Sequence, residues 1–160
     1  MNLTGVIAIS GKPGLYKVVA QGKKNIIVES LIDGKKSPAY STDRISALED
    51  ISIYTYEEDV PLKEVYLKIY EKEQGKDAIS HKESMKNLVA YLSEILPDYD
   101  DERVYPSDIK KLFQWYNILN KNGLTKPTEE ENKEEKESKA EEKTAKKEKE
   151  NKKKEAKKED

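Results

Sequence analysis

The chain has 160 residues, with 30 basic against 32 acidic side chains, one histidine and no cysteine. Without thiols, disulfides, zinc–thiolate centres and cysteine nucleophiles are excluded. Near-neutrality removes any global electrostatic footprint for nucleic acid, although a local basic patch stays compatible with it.

The N-terminal run MNLTGVIAISGKPG has no basic leader, and its apolar stretch Val6–Ile9 is too short for a signal sequence or a membrane span, which points to a cytoplasmic protein with no membrane contact. The first 56 residues alternate β-type runs with turn signals. Gly5–Ser10, Leu15–Ala20 and Ile26–Ile32 read as strands, separated by Gly11-Lys12-Pro13-Gly14 and Gly22-Lys23-Lys24-Asn25. Asp33-Gly34 predicts a hairpin turn, because glycine and aspartate tolerate the positive φ such turns require. Ser37-Pro38-Ala39-Tyr40 predicts an edge strand, since proline cannot donate to a ladder. Leu48–Tyr56 predicts a fifth strand. Five short strands in so few residues predict a small antiparallel β-barrel over 1–57.

From Pro61 the apolar period becomes helical. Leu62, Val65, Tyr66, Ile69 and Tyr70 recur at three and four residues up to Gly75. A capping box, Ser80 with Glu83, predicts a second helix carrying Leu88, Val89, Leu92, Ile95 and Leu96. Pro106 opens a third with Ile109, Leu112, Phe113, Tyr116 and Leu119, stopped by Asn122-Gly123. A helical region is therefore predicted over 58–124. Trp115, off the Tyr116 stripe, is expected to pack on the β part. From Thr125 to Asp160 the apolar residues are Ala140, Ala145 and Ala156, among 13 Lys and 13 Asp plus Glu. Such a segment cannot offset its ordering entropy by burial, so a disordered Lys/Glu-rich tail is predicted over 125–160, with coiled-coil-like i,i+4 Glu–Lys pairs.

Chemistry is sparse. Gly11-Lys12-Pro13-Gly14 after a strand invites comparison with a phosphate-binding loop, but Pro13 stands where that loop needs Ser or Thr, and no helix follows. His81 has no nucleophile placed beside it. Asp98, Asp100, Asp101 and Glu102 cluster without the spacing or central glycine of a calcium loop. No cofactor, metal site or catalytic residue is expected. The remaining signal is tyrosine interleaved with lysine in the β part, which suits base stacking with phosphate contact or a peptide groove. The candidate binding residues are Lys12, Tyr16, Lys17, Lys23, Lys24, Tyr40 and Tyr54.

Three runs, Leu3–Lys17, Glu29–Lys35 and Ser46–Tyr54, resemble a family of uncharacterised bacterial proteins, a domain-of-unknown-function family. The resemblance implies an N-terminal β domain, a C-terminal helical domain and a variable charged tail, and it carries no catalytic residues. The β part is also similar in strand rhythm to SH3-like and Tudor-like barrels. The expectation is an α+β protein: a small SH3-like barrel, a three-helix region and a disordered tail. Its expected role is that of a non-enzymatic cytoplasmic binding or adaptor protein contacting RNA or a ribonucleoprotein through the β module. A protein partner without nucleic acid is the alternative, and a small enzyme using carboxylates and lysines is the third reading.

Overall fold

Four consecutive apolar residues, Val6-Ile7-Ala8-Ile9, form β1 (Val6–Ile9), and the pleat sends successive side chains to opposite sides. Val6 and Ala8 join the main core with the helices, whereas Ile7 and Ile9 enter a smaller second core. The computed structural model describes residues 1–128, and residues 1–126 form one unit of it.

Around β1 the chain builds an antiparallel sheet from β2 (Tyr16–Gln21), β3 (Asn25–Ser30), β4 (Lys36–Tyr40) and β5 (Ile45–Ala47), in the order β4-β3-β2-β1-β5. Consecutive strands β4 and β5 thus lie at opposite edges. Five extended residues span at most about 18 Å, whereas four interstrand spacings in a flat sheet are about 19 Å. The link between Tyr40 and Ile45 is also turned, with Asp43 N–H donating to Tyr40 O at 3.0 Å. The sheet must therefore coil. A bulge at Val19, between the pairs Val18–Val28 and Ala20–Ile27, adds local twist. The inner face of the coil holds the second core of Ile7, Ile9, Tyr16, Val28 and Ala39.

The coil stays open. β4 pairs with β3 and β5 pairs with β1, but β4 and β5 share no ladder. The predicted SH3-like barrel is thereby corrected to an open, curled five-stranded sheet. β5 offers only three paired residues, and Pro38 removes a donor from β4. The predicted fifth strand, Leu48–Tyr56, is likewise corrected. The fifth strand is Ile45–Ala47; Leu48–Asp50 forms a 3-10 turn, and β6 (Ser52–Ile53) pairs with β7 (Val60–Pro61) in a separate ribbon. The Asp33-Gly34 turn is a five-residue connection in which Gly34 has φ +71°. It sends Leu31 and Ile32 sideways, with Leu31 N–H donating to Leu15 O at 2.9 Å.

Three helices follow: α1 (Leu62–Glu73), α2 (Met85–Ile95) and α3 (Pro106–Lys121). The N-cap of α2 is Ser84, which accepts from Asn87 N–H at 3.3 Å, so the Ser80–Glu83 box does not open the helix. Pro106 takes the first helical position of α3 as its missing N–H favours. The main core gathers Leu62, Val65, Tyr66, Ile69, Leu88, Leu92, Phe113, Tyr116 and Leu119 with Leu15 and Leu48 from the β part. Thr125 is buried and donates to Asn120 Oδ1 at 2.7 Å, so order runs past Leu124. The tail expected over 125–160 lies, from residue 129 on, outside the described residues. Among the described residues no helix is long and apolar enough to cross a membrane.

Two core tyrosines meet edge to face, Tyr66 and Tyr116, with centroids 5.5 Å apart. Tyr66 Oη donates to Leu112 O at 2.9 Å, while the buried Tyr116 hydroxyl has no hydrogen-bond partner among the described residues. Burial raises both phenols' pKa values. Chemical denaturation should therefore separate two isosteric changes. Tyr66→Phe is expected to cost about 1 kcal/mol, whereas Tyr116→Phe should be neutral or stabilising, because it removes a desolvated hydroxyl that gains nothing. Equal losses would contradict the assignment.

Candidate functional site

Helix α3 turns one face to the core and the other to a set of grooves. Lys111, Gln114, Trp115, Ile118, Lys121 and Asn122 follow three- and four-residue spacing and so share the outer face. Beside Trp115 lie two adjoining grooves. One, of about 240 Å³, is bounded by Ile51, Tyr54, Arg103, Asp108, Lys111 and Trp115. The other, of about 380 Å³, is bounded by the Gly11–Gly14 turn, Arg44, Ser46, Lys111, Gln114 and Trp115. Ile51, Lys111 and Trp115 belong to both. Trp115 is half-buried and lines a groove together with residues of the β part.

The β1–β5 pairing explains why Arg44 stands here. Ser10 N–H donates to Arg44 O at 2.9 Å, which places that residue across from the Gly11–Gly14 turn. Gly14 has φ +79°, and a Cβ there would lie 2.4 Å from Ile32 Cδ1 and 3.8 Å from Ile118 Cδ1. The positive φ is what favours glycine here, since the exposed tip of Ile32 could move aside.

The charges around Trp115 are unequal. Lys12, Arg44 and Lys111 make no ion pair among the described residues. Asp108 supplies the opposing charge and is engaged at the start of α3, accepting from Tyr105 N–H at 3.2 Å. Arg103 is matched by Asp100, Nε to Oδ2 at 2.7 Å, and its guanidinium lies 4.5 Å from the Tyr54 ring centroid. It also donates to Thr55 O at 3.2 Å. The Arg103 hydrogen bond, with further help from the Glu102 and Arg103 N–H groups, holds the Asp100 carboxyl below the usual carboxylate range. Tyr56 donates to Asp101, which raises its phenol pKa. The acidic loop is therefore a fastener for the Tyr54–Tyr56 segment. Among the described residues no group of His, Asp or Glu side chains is placed to hold a metal ion.

The candidate residues from sequence fall into four places. Lys12 and Tyr54 border the grooves at Trp115. Lys23, Lys24 and Tyr40 border a separate, shallow depression of about 720 Å³ between the β2–β3 turn and the β4–β5 link. Tyr16 is buried in the second core, so its ring is not presented to solvent. Lys17 is exposed on β2, opposite Val6 and Glu29, and borders neither place. Arg44, Lys111 and Gln114 were not among the candidates. The signal for two of them was present in the i,i+4 spacing of Lys111 with Trp115 and of Gln114 with Ile118.

Residues 3–48 match a family described as a domain of unknown function (DUF5606), and residues 51–119 match another domain of unknown function (DUF6852). The solution NMR structure of a structural-genomics target from Bacteroides vulgatus is 47% identical, with a TM-score of 0.65, over 78% of this chain and 90% of that one. The chain belongs to this two-part bacterial family. Among curated proteins nothing matches it. The boundary between the matched segments falls across the larger groove, where Lys12 and Arg44 come from the first and Lys111 and Trp115 from the second, whereas the smaller groove is bounded by the second alone. In this family member only the larger groove lies where the two segments meet.

The Asp100 fastener has a defined pH signature. Its folded-state pKa is depressed, so its stabilisation is present above the unfolded value of about 3.9 and is lost as pH falls through the lower folded value. Thermal melts of Asp100→Asn should lie below the parent by a constant margin at neutral pH, and the margin should shrink below about pH 4. A margin that persists undiminished in acid would show that Asp100 acts without its charge.

Proposed function

We propose that this protein is a cytoplasmic, non-enzymatic binding protein that holds single-stranded RNA in the grooves at Trp115. The observation that carries the reading is the arrangement of Lys12, Arg44 and Lys111 around one half-buried tryptophan. Three cations against Asp108 leave a formal excess of two positive charges in a body that is slightly acidic overall. Local charge of that kind attracts phosphate, while an indole edge or face supplies sequence-tolerant stacking. A duplex would find little use for Trp115, because its bases are already stacked and narrow grooves do not admit it. An apolar peptide would leave the three cations desolvated without partners, which is costly. The second depression, with Lys23, Lys24 and Tyr40, has exposure and charge but is shallow and contributes at most an outlying contact.

The chain's single tryptophan is its own reporter. Titration with a uridine oligonucleotide at low salt should quench Trp115 fluorescence, and added salt should reverse the quench. Lys111→Glu and Arg44→Glu are each expected to weaken binding at least fivefold, with the logarithmic salt slope shallower by about 0.7 for each phosphate no longer neutralised. Lys68→Glu, on the exposed side of α1, should change little. Absence of quenching and of anisotropy change with RNA at low salt would overturn the reading.

A further inference from the structure

Past Gln114, the outer face of α3 continues into a third concavity. This cleft, of about 700 Å³, lies between the Leu31–Ile32 shoulder, the segment joining α1 to α2 and the last turns of α3. Gln114 borders both this cleft and the groove on the near side. Its floor is fixed by amides that already have partners. Asn117 Oδ1 accepts from Ala78 N–H at 2.8 Å, and its Nδ2 donates to the Ala78 and Ile79 carbonyls. Asn122 Nδ2 donates to Leu31 O at 2.9 Å. Lys82 and Lys121 stand at its border without an ion pair among the described residues, and the single histidine, His81, lies beside them. Asp77 is the opposing acid and accepts from Asn120 Nδ2 at 2.8 Å.

We propose that this cleft is a second subsite for the same strand, so that RNA runs lengthwise along α3 from Trp115 past Ile118 to Lys82 and Lys121. The inference rests on the RNA reading of the Trp115 grooves and adds a direction, a length and two further phosphate-binding cations. Lys111 and Lys121 are ten residues apart, about 15 Å along the helix axis. That separation is too long for one nucleotide and places the footprint at about four nucleotides or more, the lower range of single-strand sites. The cleft's fixed amide floor and cationic border suit backbone contact, while stacking is supplied at Trp115.

The test is a length series of uridine oligonucleotides, from two to ten residues, measured by anisotropy on the full chain and on Lys82→Glu/Lys121→Glu. For the parent, affinity should climb steeply until the strand spans both subsites and then level off. The double variant should bind the shortest oligonucleotides as the parent does, quenching Trp115 equally, which also shows that it is folded. It should bind the longest at least tenfold more weakly, with the salt slope shallower by about 1.4 for two phosphates left unneutralised. Equal affinity of parent and variant at every length, with Lys111→Glu still impaired, would overturn the second subsite and leave the Trp115 site standing. No binding by any variant or the parent at any length would instead remove the RNA reading itself.

Discussion

Burial of β1 on both faces is the constraint on which the rest of the structure depends. Val6 and Ala8 tie the sheet to α1, α2 and α3, and Ile7 and Ile9 fill the curl. Full burial of a Val or Ile side chain is worth about 1.5–3 kcal/mol, and here Val6 serves one core while Ile7 and Ile9 serve the other. β2 and β5 pair on the two edges of β1, and the short link from β4 to β5 then forces the sheet to coil. That coil brings Arg44 across from the Gly11–Gly14 turn. A charged wall of the groove is thus a consequence of strand order.

Helix α3 is the other organising element. Its inner stripe of Ile109, Leu112, Phe113, Tyr116 and Leu119 is committed to the core. This commitment fixes the rotation of the helix and so fixes which residues face outward. Lys111, Trp115, Ile118 and Lys121 are presented in line because their neighbours are buried. The larger groove at Trp115 lies where two family segments share one core.

The acidic loop before α3 shows how a suggestive sequence can be purely architectural. Asp100 N–H donates to Tyr54 O at 2.8 Å and Tyr56 N–H to Asp98 O at 3.0 Å, while Thr55 bridges to Tyr99. These bonds act with the Arg103–Asp100 pair to close the segment leading from β6 to β7. Two of the clustered carboxylates are already engaged, Asp100 by N–H groups and a guanidinium and Asp101 by a tyrosine hydroxyl.

The sequence by itself determined the α+β class, the strand runs of β1 to β4, the three helices and the edge position of Pro38, because these follow from local period, turn chemistry and proline's missing donor. It also marked Lys12 and Tyr54 as surface candidates. Tertiary structure alone decided that the sheet stays open, that Ile45–Ala47 rather than Leu48–Tyr56 supplies the last strand, and that Tyr16 is core. It alone gathered Arg44 and Lys111 beside Trp115. Those outcomes depend on which strand edges find partners and which faces of β1 and α3 are claimed by burial. Both are long-range competitions, to which the spacing of neighbouring residues is blind.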